Sequence, residues 1–135
     1  MRVVVVGASG NVGSALLRRL AADDDVSEVV AVARHVPEHD PTGARWVTAD
    51  VASPGSEPRL AEAARGADAL VALAWGIQPS HDEAALWRTN VDGTLRALRA
   101  ARTAGVRHAV YVSSIGAYGP RPRETPLVPV GEDHP

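Results

Sequence analysis

The 135-residue sequence has no cysteine and no lysine. Without cysteine there is neither a disulfide framework nor a thiolate metal site. Without lysine, no ε-amino group of this chain can act in catalysis, and all fourteen basic residues are arginine. Long apolar runs are missing too, none approaching the roughly 20 residues that a membrane-spanning helix needs. The apolar stretch Val3–Val6, which follows directly on Met1 and Arg2, is too short for a secretory signal. Nor is there an excess of one charge: the formal net charge of −2 argues against a nucleic-acid surface. What remains is 45% hydrophobic residues in a length that suits one core. A cytoplasmic location is the expectation.

Short apolar, β-branched runs alternate with stretches of helical periodicity. Val3–Val6, Val29–Ala33, Trp46–Val47, Ala69–Ala74 and Ala109–Val112 are predicted strands, apolar almost throughout, as parallel strands covered on both faces are. Helices are predicted over Asn11–Ala22, around Leu60 to Ala64 with a stop at Gly66, and over His81–Thr103. For the last, Ser80 and Glu83 make a capping box and Gly105 a C-terminal stop. Pro37, Pro41 and Gly43 make the connection from Arg34 to Ala44 a loop. Strand–helix alternation implies a parallel sheet of about five strands in order 3-2-1-4-5, an α/β fold with helices on both faces. From Gly119 onward, five prolines in seventeen residues predict an irregular tail (119–135) behind a nucleotide-binding domain (1–118).

The first strand runs into Gly7-Ala8-Ser9-Gly10-Asn11-Val12-Gly13, a G-x-x-G-x-x-G turn that opens a helix. Gly7 serves the tight turn, Gly10 the close approach of backbone to a pyrophosphate, and Gly13 the packing of helix on strand. The helix N-terminus offers unpaired N–H groups and partial positive charge to the phosphates. About 20 residues beyond the glycines, an acid usually holds the adenosine ribose 2′-hydroxyl, whereas an arginine suits a 2′-phosphate. Here the segment is Ala33-Arg34-His35, with no acid, which favours NADP over NAD.

Five segments in order carry a family resemblance: the glycine turn, Asp50-Val51, Leu73-Ala74-Trp75, Asn90-Val91-Asp92-Gly93-Thr94, and Val112-Ser113-Ser114-Ile115-Gly116-Ala117-Tyr118-Gly119. With these the chain resembles the extended short-chain dehydrogenase/reductases, the NAD-dependent epimerase/dehydratases, over nearly all its length. The resemblance implies a Rossmann-type three-layer fold. It implies that Gly7, Ser9, Gly10, Asn11, Val12 and Gly13 hold the pyrophosphate. Asp50 and Val51 would meet the adenine, with Asp50 accepting from its exocyclic amine. Leu73, Ala74 and Trp75 would line the ribose side, Asn90 would lie beneath the cofactor, and Ser113 would sit near the nicotinamide. Ser114 matches the serine that hydrogen-bonds the reacting hydroxyl or carbonyl. Plainer alternatives stand beside these roles. Asp50 could cap a turn, Asn90 could bond neighbouring backbone, Ser113 and Ser114 could merely end a strand, and Trp75 and Trp87 could be packing residues.

The family completes its site with a Tyr-x-x-x-Lys pair, in which tyrosine is the general acid/base. Neither Tyr111 nor Tyr118 has a lysine four residues on. The expectation is therefore the nucleotide-binding portion of an epimerase, dehydratase or reductase acting on a hydroxyl or carbonyl substrate, a nucleotide sugar among the candidates. It is expected to lack turnover alone, as a fragment, a truncated reading frame or half of a split protein. The fold would then end before its last strands, leaving the fifth strand an apolar edge open to a second copy or to a missing C-terminal half. The alternatives are a non-catalytic NAD(P)-binding module that senses redox state or binds a partner, and, more remotely, a methyltransferase. No metal site is expected.

Overall fold

A computed structural model describes residues 1–76 and 81–114. Five strands, β1 (Arg2–Val6), β2 (Glu28–Ala33), β3 (Arg45–Thr48), β4 (Ala69–Ala72) and β5 (His108–Tyr111), form one sheet. Its order is β3-β2-β1-β4-β5 and every pairing is parallel, as the alternation of elements predicts. Helix α1 (Asn11–Ala21) connects β1 to β2, and α2 (Glu57–Ala64) connects β3 to β4. Between β4 and β5 come α3 (Glu83–Trp87), a π-helical segment (Arg88–Gly93) and α4 (Thr94–Thr103).

The valines of β1 explain the layering. Val3 to Val6 are each at most 3% exposed, and successive side chains point to opposite faces. Val3 and Val5 pack with Val29, Ala31 and Leu17 of α1. On the other face Val4 and Val6 join Val30, Val32 and Leu70, with Leu60 and Ala63 of α2 and Ala97, Ala100 and Ala101 of α4. Each large side chain fully buried this way, such as Leu17 or Leu60, contributes about 1.5–3 kcal/mol. The run of alanines lets α2 and α4 lie close together on the same face of the sheet.

Three expectations need correction. The strand predicted over Ala69–Ala74 ends at Ala72. Leu73 N still donates to Val6 O at 2.8 Å, but β1 then turns away at Gly7, beneath the Leu73–Ala74 backbone. The single helix predicted over His81–Thr103 is instead interrupted by the π-helical turn, which adds a residue to the local repeat. Its N-terminal cap is Asp82, whose Oδ1 accepts from Ala85 N at 2.9 Å; Ser80 lies outside the described residues. Trp87, expected as a packing residue, is 63% exposed at the end of α3, a helix that buries none of its residues. All four residues of β5 are exposed, including Val110 and Tyr111, so this edge strand carries apolar surface. The proline-rich stretch 119–135 lies outside the described residues.

Candidate functional site

The sheet order reverses at β1, whose neighbours β2 and β4 lie on either side. Connections leaving those strands diverge, and a crevice opens at their carboxyl ends. A cleft occupies that crevice. Val6, Gly7, Ser9 and Gly10 line it from the first turn, and Arg34, Asp50 and Val51 from the ends of β2 and β3. Leu73, Ala74 and Trp75 line it from the end of β4. Nine of the residues singled out in the sequence thus converge from four separate segments. Asn11, Val12, Gly13, Asn90, Ser113 and Ser114 do not line it.

The three glycines of the turn differ in what holds them. Gly7 has φ +89°, and a Cβ there would lie 2.6 Å from Ala74 N. A Cβ on Gly13 would lie 2.4 Å from Gly7 O and 2.7 Å from Ala8 Cα, so helix and turn touch through backbone. Gly10 is under neither constraint. Its φ is −75°, and the nearest atom to an added Cβ would be Gly7 O at 3.4 Å, an ordinary contact. Folding therefore has no need of glycine at position 10, on the wall of the cleft. From Gly10 begins α1, with no side chain capping it and no acidic residue in its first turn. The first intrahelical bond is Ser14 N to Gly10 O at 2.8 Å, so the amides of Asn11, Val12 and Gly13 have no intrahelical acceptor. Asn11 and Val12 are exposed there, and Val12 points an apolar side chain outward.

Asp50 follows β3 and heads a turn, its carbonyl accepting from Ser53 N at 3.0 Å. Its Oδ1 accepts from Ala52 N at 3.0 Å. The turn-capping role thus occupies one carboxylate oxygen, and Oδ2 faces no donor among the described residues. Asn90, in the π-helical segment, grips the backbone of Gly76. Its Oδ1 accepts from Gly76 N at 2.7 Å and its Nδ2 donates to Gly76 O at 3.2 Å. It acts on the cleft by fixing the segment after β4, which carries Trp75 and Gly76. Trp75 stands half-open to solvent and tilts against Tyr111, with ring centroids 6.4 Å apart. Arg34 is exposed and makes no ion pair with the described residues. Ser113 and Ser114 follow β5, whose end is tied to β4 by Val112 N donating to Ala72 O at 3.3 Å.

Val32, Ala33, Ala49, Gly76 and Thr89 also line the cleft and were not singled out in the sequence. Val32, Ala33 and Ala49 were accessible to the rule that ligands gather at strand carboxyl ends beside a switch point. Thr89 gives no such signal, because the π-helical turn decides which way it faces. Among the described residues, the two carboxylates whose pKa is shifted lie away from the cleft. Burial pushes Asp40 up, but donors outweigh it: Thr42 Oγ1 at 2.6 Å, Trp46 Nε1 at 2.9 Å and Thr42 N at 3.0 Å hold it below 3.8. Asp68 is lowered from 3.8 chiefly by the Arg2 amide at 2.7 Å, against a smaller opposing push from desolvation, with Arg107 adding to the lowering. Among the described residues no group of three or more His, Cys, Asp or Glu could hold a metal ion, and no helix is long and apolar enough to cross a membrane.

Fold and cleft together define a Rossmann-type α/β protein. Residues 3–135 match the NAD dependent epimerase/dehydratase family, and the chain belongs to that family. It is 36% identical over 143 residues to UDP-glucose 4-epimerase of Mycolicibacterium smegmatis, covering all of this chain and 44% of that protein. It is 34% identical over 114 residues to an uncharacterised protein of Mycobacterium tuberculosis, covering 84% of this chain and 12% of that one. A short-chain dehydrogenase/reductase superfamily protein from Agrobacterium tumefaciens, solved with bound NAD, matches with a TM-score of 0.80 and 31% identity. That match covers 100% of this chain and 38% of the solved one. The chain therefore spans less than half the length of each of these proteins.

Proposed function

We propose that the cleft binds a nicotinamide dinucleotide and that the chain is the nucleotide-binding portion of an epimerase, dehydratase or reductase. The observation that carries this reading is Gly10: it lines the cleft, its backbone would accept a side chain, and among the described residues an added Cβ would meet only Gly7 O, at an ordinary 3.4 Å. A phosphate seated against the bare amides of α1 supplies a reason for glycine there. Asp50 and Val51 receive the adenine, Leu73, Ala74 and Trp75 flank the ribose, and Ser9 completes the phosphate turn. Asn11, Val12 and Gly13 contribute backbone N–H groups, which does not require their side chains to line the cleft. Asn90 acts through Gly76.

Arg34, on the cleft wall and without an ion pair among the described residues, supports NADP over NAD through charge pairing with a 2′-phosphate. Ser113 would stand toward the nicotinamide end and Ser114 would orient a substrate hydroxyl or carbonyl. Bound nicotinamide supplies hydride exchange with the carbinol carbon of such a substrate. The absence of lysine from all 135 residues supports lack of turnover by this chain alone, since the family's Tyr-x-x-x-Lys pair cannot be assembled from it. A second reading, a non-catalytic NAD(P)-binding module that senses redox state or binds a partner, stands beside it. The name of the mycolicibacterial relative makes a nucleotide sugar the first substrate class to test. The exposed apolar edge at β5 supports pairing with another polypeptide, either a C-terminal half of the fold or a second copy.

Dissociation constants for NADPH and NADH, measured by nucleotide fluorescence, test the reading. Binding of both with NADPH tighter is expected. Clearly tighter NADH would overturn the role given to Arg34, and no binding of either would overturn the cleft assignment.

A further inference from the structure

Arg96 lies outside the cleft but reaches its floor. It stands in the first turn of α4, and its side chain is only 14% exposed. Its Nη1 donates to the Val51 carbonyl at 2.8 Å, and Asp92 Oδ2, 3.8 Å from Nη2, steadies the guanidinium from the preceding turn. The Val51 carbonyl belongs to the same peptide unit as the Ala52 N–H, and that N–H donates to Asp50 Oδ1 at 3.0 Å. A guanidinium on a helix and a carboxylate on the cleft wall are thus joined by two hydrogen bonds through one planar group. The two bonds reinforce one another, because donation to the carbonyl polarises the peptide and strengthens its N–H as a donor. Gly93 lets the helix come this near: a Cβ there would lie 2.7 Å from Val51 Cγ2.

We propose that Arg96 is a positioning residue that fixes the Asp50 carboxylate for selecting a 6-aminopurine, so that the cleft prefers adenine to hypoxanthine in its dinucleotide. The inference rests on the reading of the cleft as a dinucleotide site with Asp50 at the base. With Oδ1 held by Ala52, the remaining oxygen is the one presented to the ligand, and a carboxylate only accepts. The exocyclic amine of adenine can donate to it. The ring carbonyl that replaces that amine in hypoxanthine sets oxygen against oxygen. The selection depends on the carboxylate being held at one angle, which the peptide between Val51 and Ala52 enforces and Arg96 anchors.

The test compares dissociation constants of NADH and its hypoxanthine analogue for the full chain and its variants. Wild type is expected to favour NADH by about tenfold, the scale of one hydrogen bond to a charged group. Arg96→Met should bring the two affinities to within about twofold of each other, because the pinned peptide loses its anchor. Arg96→Lys, which keeps a donor, should retain more of the preference than Arg96→Met. Loss of stability alone would weaken both ligands together and leave their ratio in place. If Arg96→Met does not fold, Arg96→Leu, which likewise offers no donor, carries the same expectation. An unchanged ratio in the variant, or equal affinities in wild type, overturns the inference while leaving the cleft assignment intact. A wild-type chain that binds neither nucleotide overturns both.

Discussion

Replacing Gly10 by alanine separates binding from folding at the point where the structure makes them separable. The backbone at Gly10 has φ −75°, which alanine adopts freely, and among the described residues the new Cβ would meet only Gly7 O at 3.4 Å. Gly→Ala at a compatible site stabilises by about 0.4–1 kcal/mol through the unfolded chain. Against that stands the poorer showing of alanine as an N-cap residue, about 1 kcal/mol at most. The net change is within about 1 kcal/mol, a Tm shift of a few degrees in either direction. Gly13→Ala is the control. Its Cβ would press to 2.4 Å of Gly7 O and 2.7 Å of Ala8 Cα, backbone atoms that cannot swing aside. A loss of about 3 kcal/mol is expected there. In binding the order reverses. A methyl group at position 10 stands where a phosphate must approach the α1 amides, and losing one or two charge-assisted bonds weakens the dinucleotide about ten- to a hundredfold. Thermal unfolding and fluorescence titration with NADPH on both variants give the answer. Unchanged affinity in Gly10→Ala would remove the phosphate from this turn; a stability loss as large as that of Gly13→Ala would show that folding itself needs glycine at position 10.

Arg34→Leu is expected to weaken NADPH about tenfold and to leave NADH within about twofold, as measured by paired titrations; equal losses for the two would remove the 2′-phosphate role. Asp40 and Asp68 have folded pKa values below 3.8, so the stability they contribute is present above the ordinary carboxylate range and is lost as pH falls through the folded values. Urea midpoints across pH 2 to 7 should therefore decline below about pH 4. Asp68→Asn should flatten that decline, and an identical acid limb in the variant would count against the assignment. Incubated with NAD⁺ or NADP⁺ and UDP-glucose or simple alcohols, the purified chain should show no turnover. Sustained product formation by this chain alone would overturn the argument from the missing lysine.

Much of the fold was legible because each strand is a short apolar run and each stop is a glycine or a polar break. The four valines of β1 told of burial on both faces, and the strand order followed from parallel crossovers. The glycine turn was legible as a motif but not as three different residues. Sequence alone gives Gly7, Gly10 and Gly13 equal standing, and only the distances to Ala74, Gly7 and Ala8 show that two serve the backbone's own packing. Where tertiary contacts decide, the sequence was silent. The π-helical turn interrupts a stretch whose periodicity looked continuous, and it sets which way Asn90 and Thr89 face. The bond from Arg96 to Val51 joins residues 45 apart and depends on α4 lying against the turn that follows β3. Of the two readings of Asp50, the turn-capping one is seen, with Oδ1 accepting from Ala52 N.

Dinucleotide binding in this cleft has a location as well as an affinity, and amide chemical shifts test both together. On titration of the isotope-labelled chain with NADPH, saturable shifts are expected at Gly7–Gly13, Arg34, Asp50–Ala52 and Leu73–Gly76, with the base of the sheet around Arg2 and Arg45 unmoved. Absence of shifts at millimolar NADPH, or shifts centred away from the α1 N-terminus, would contradict it.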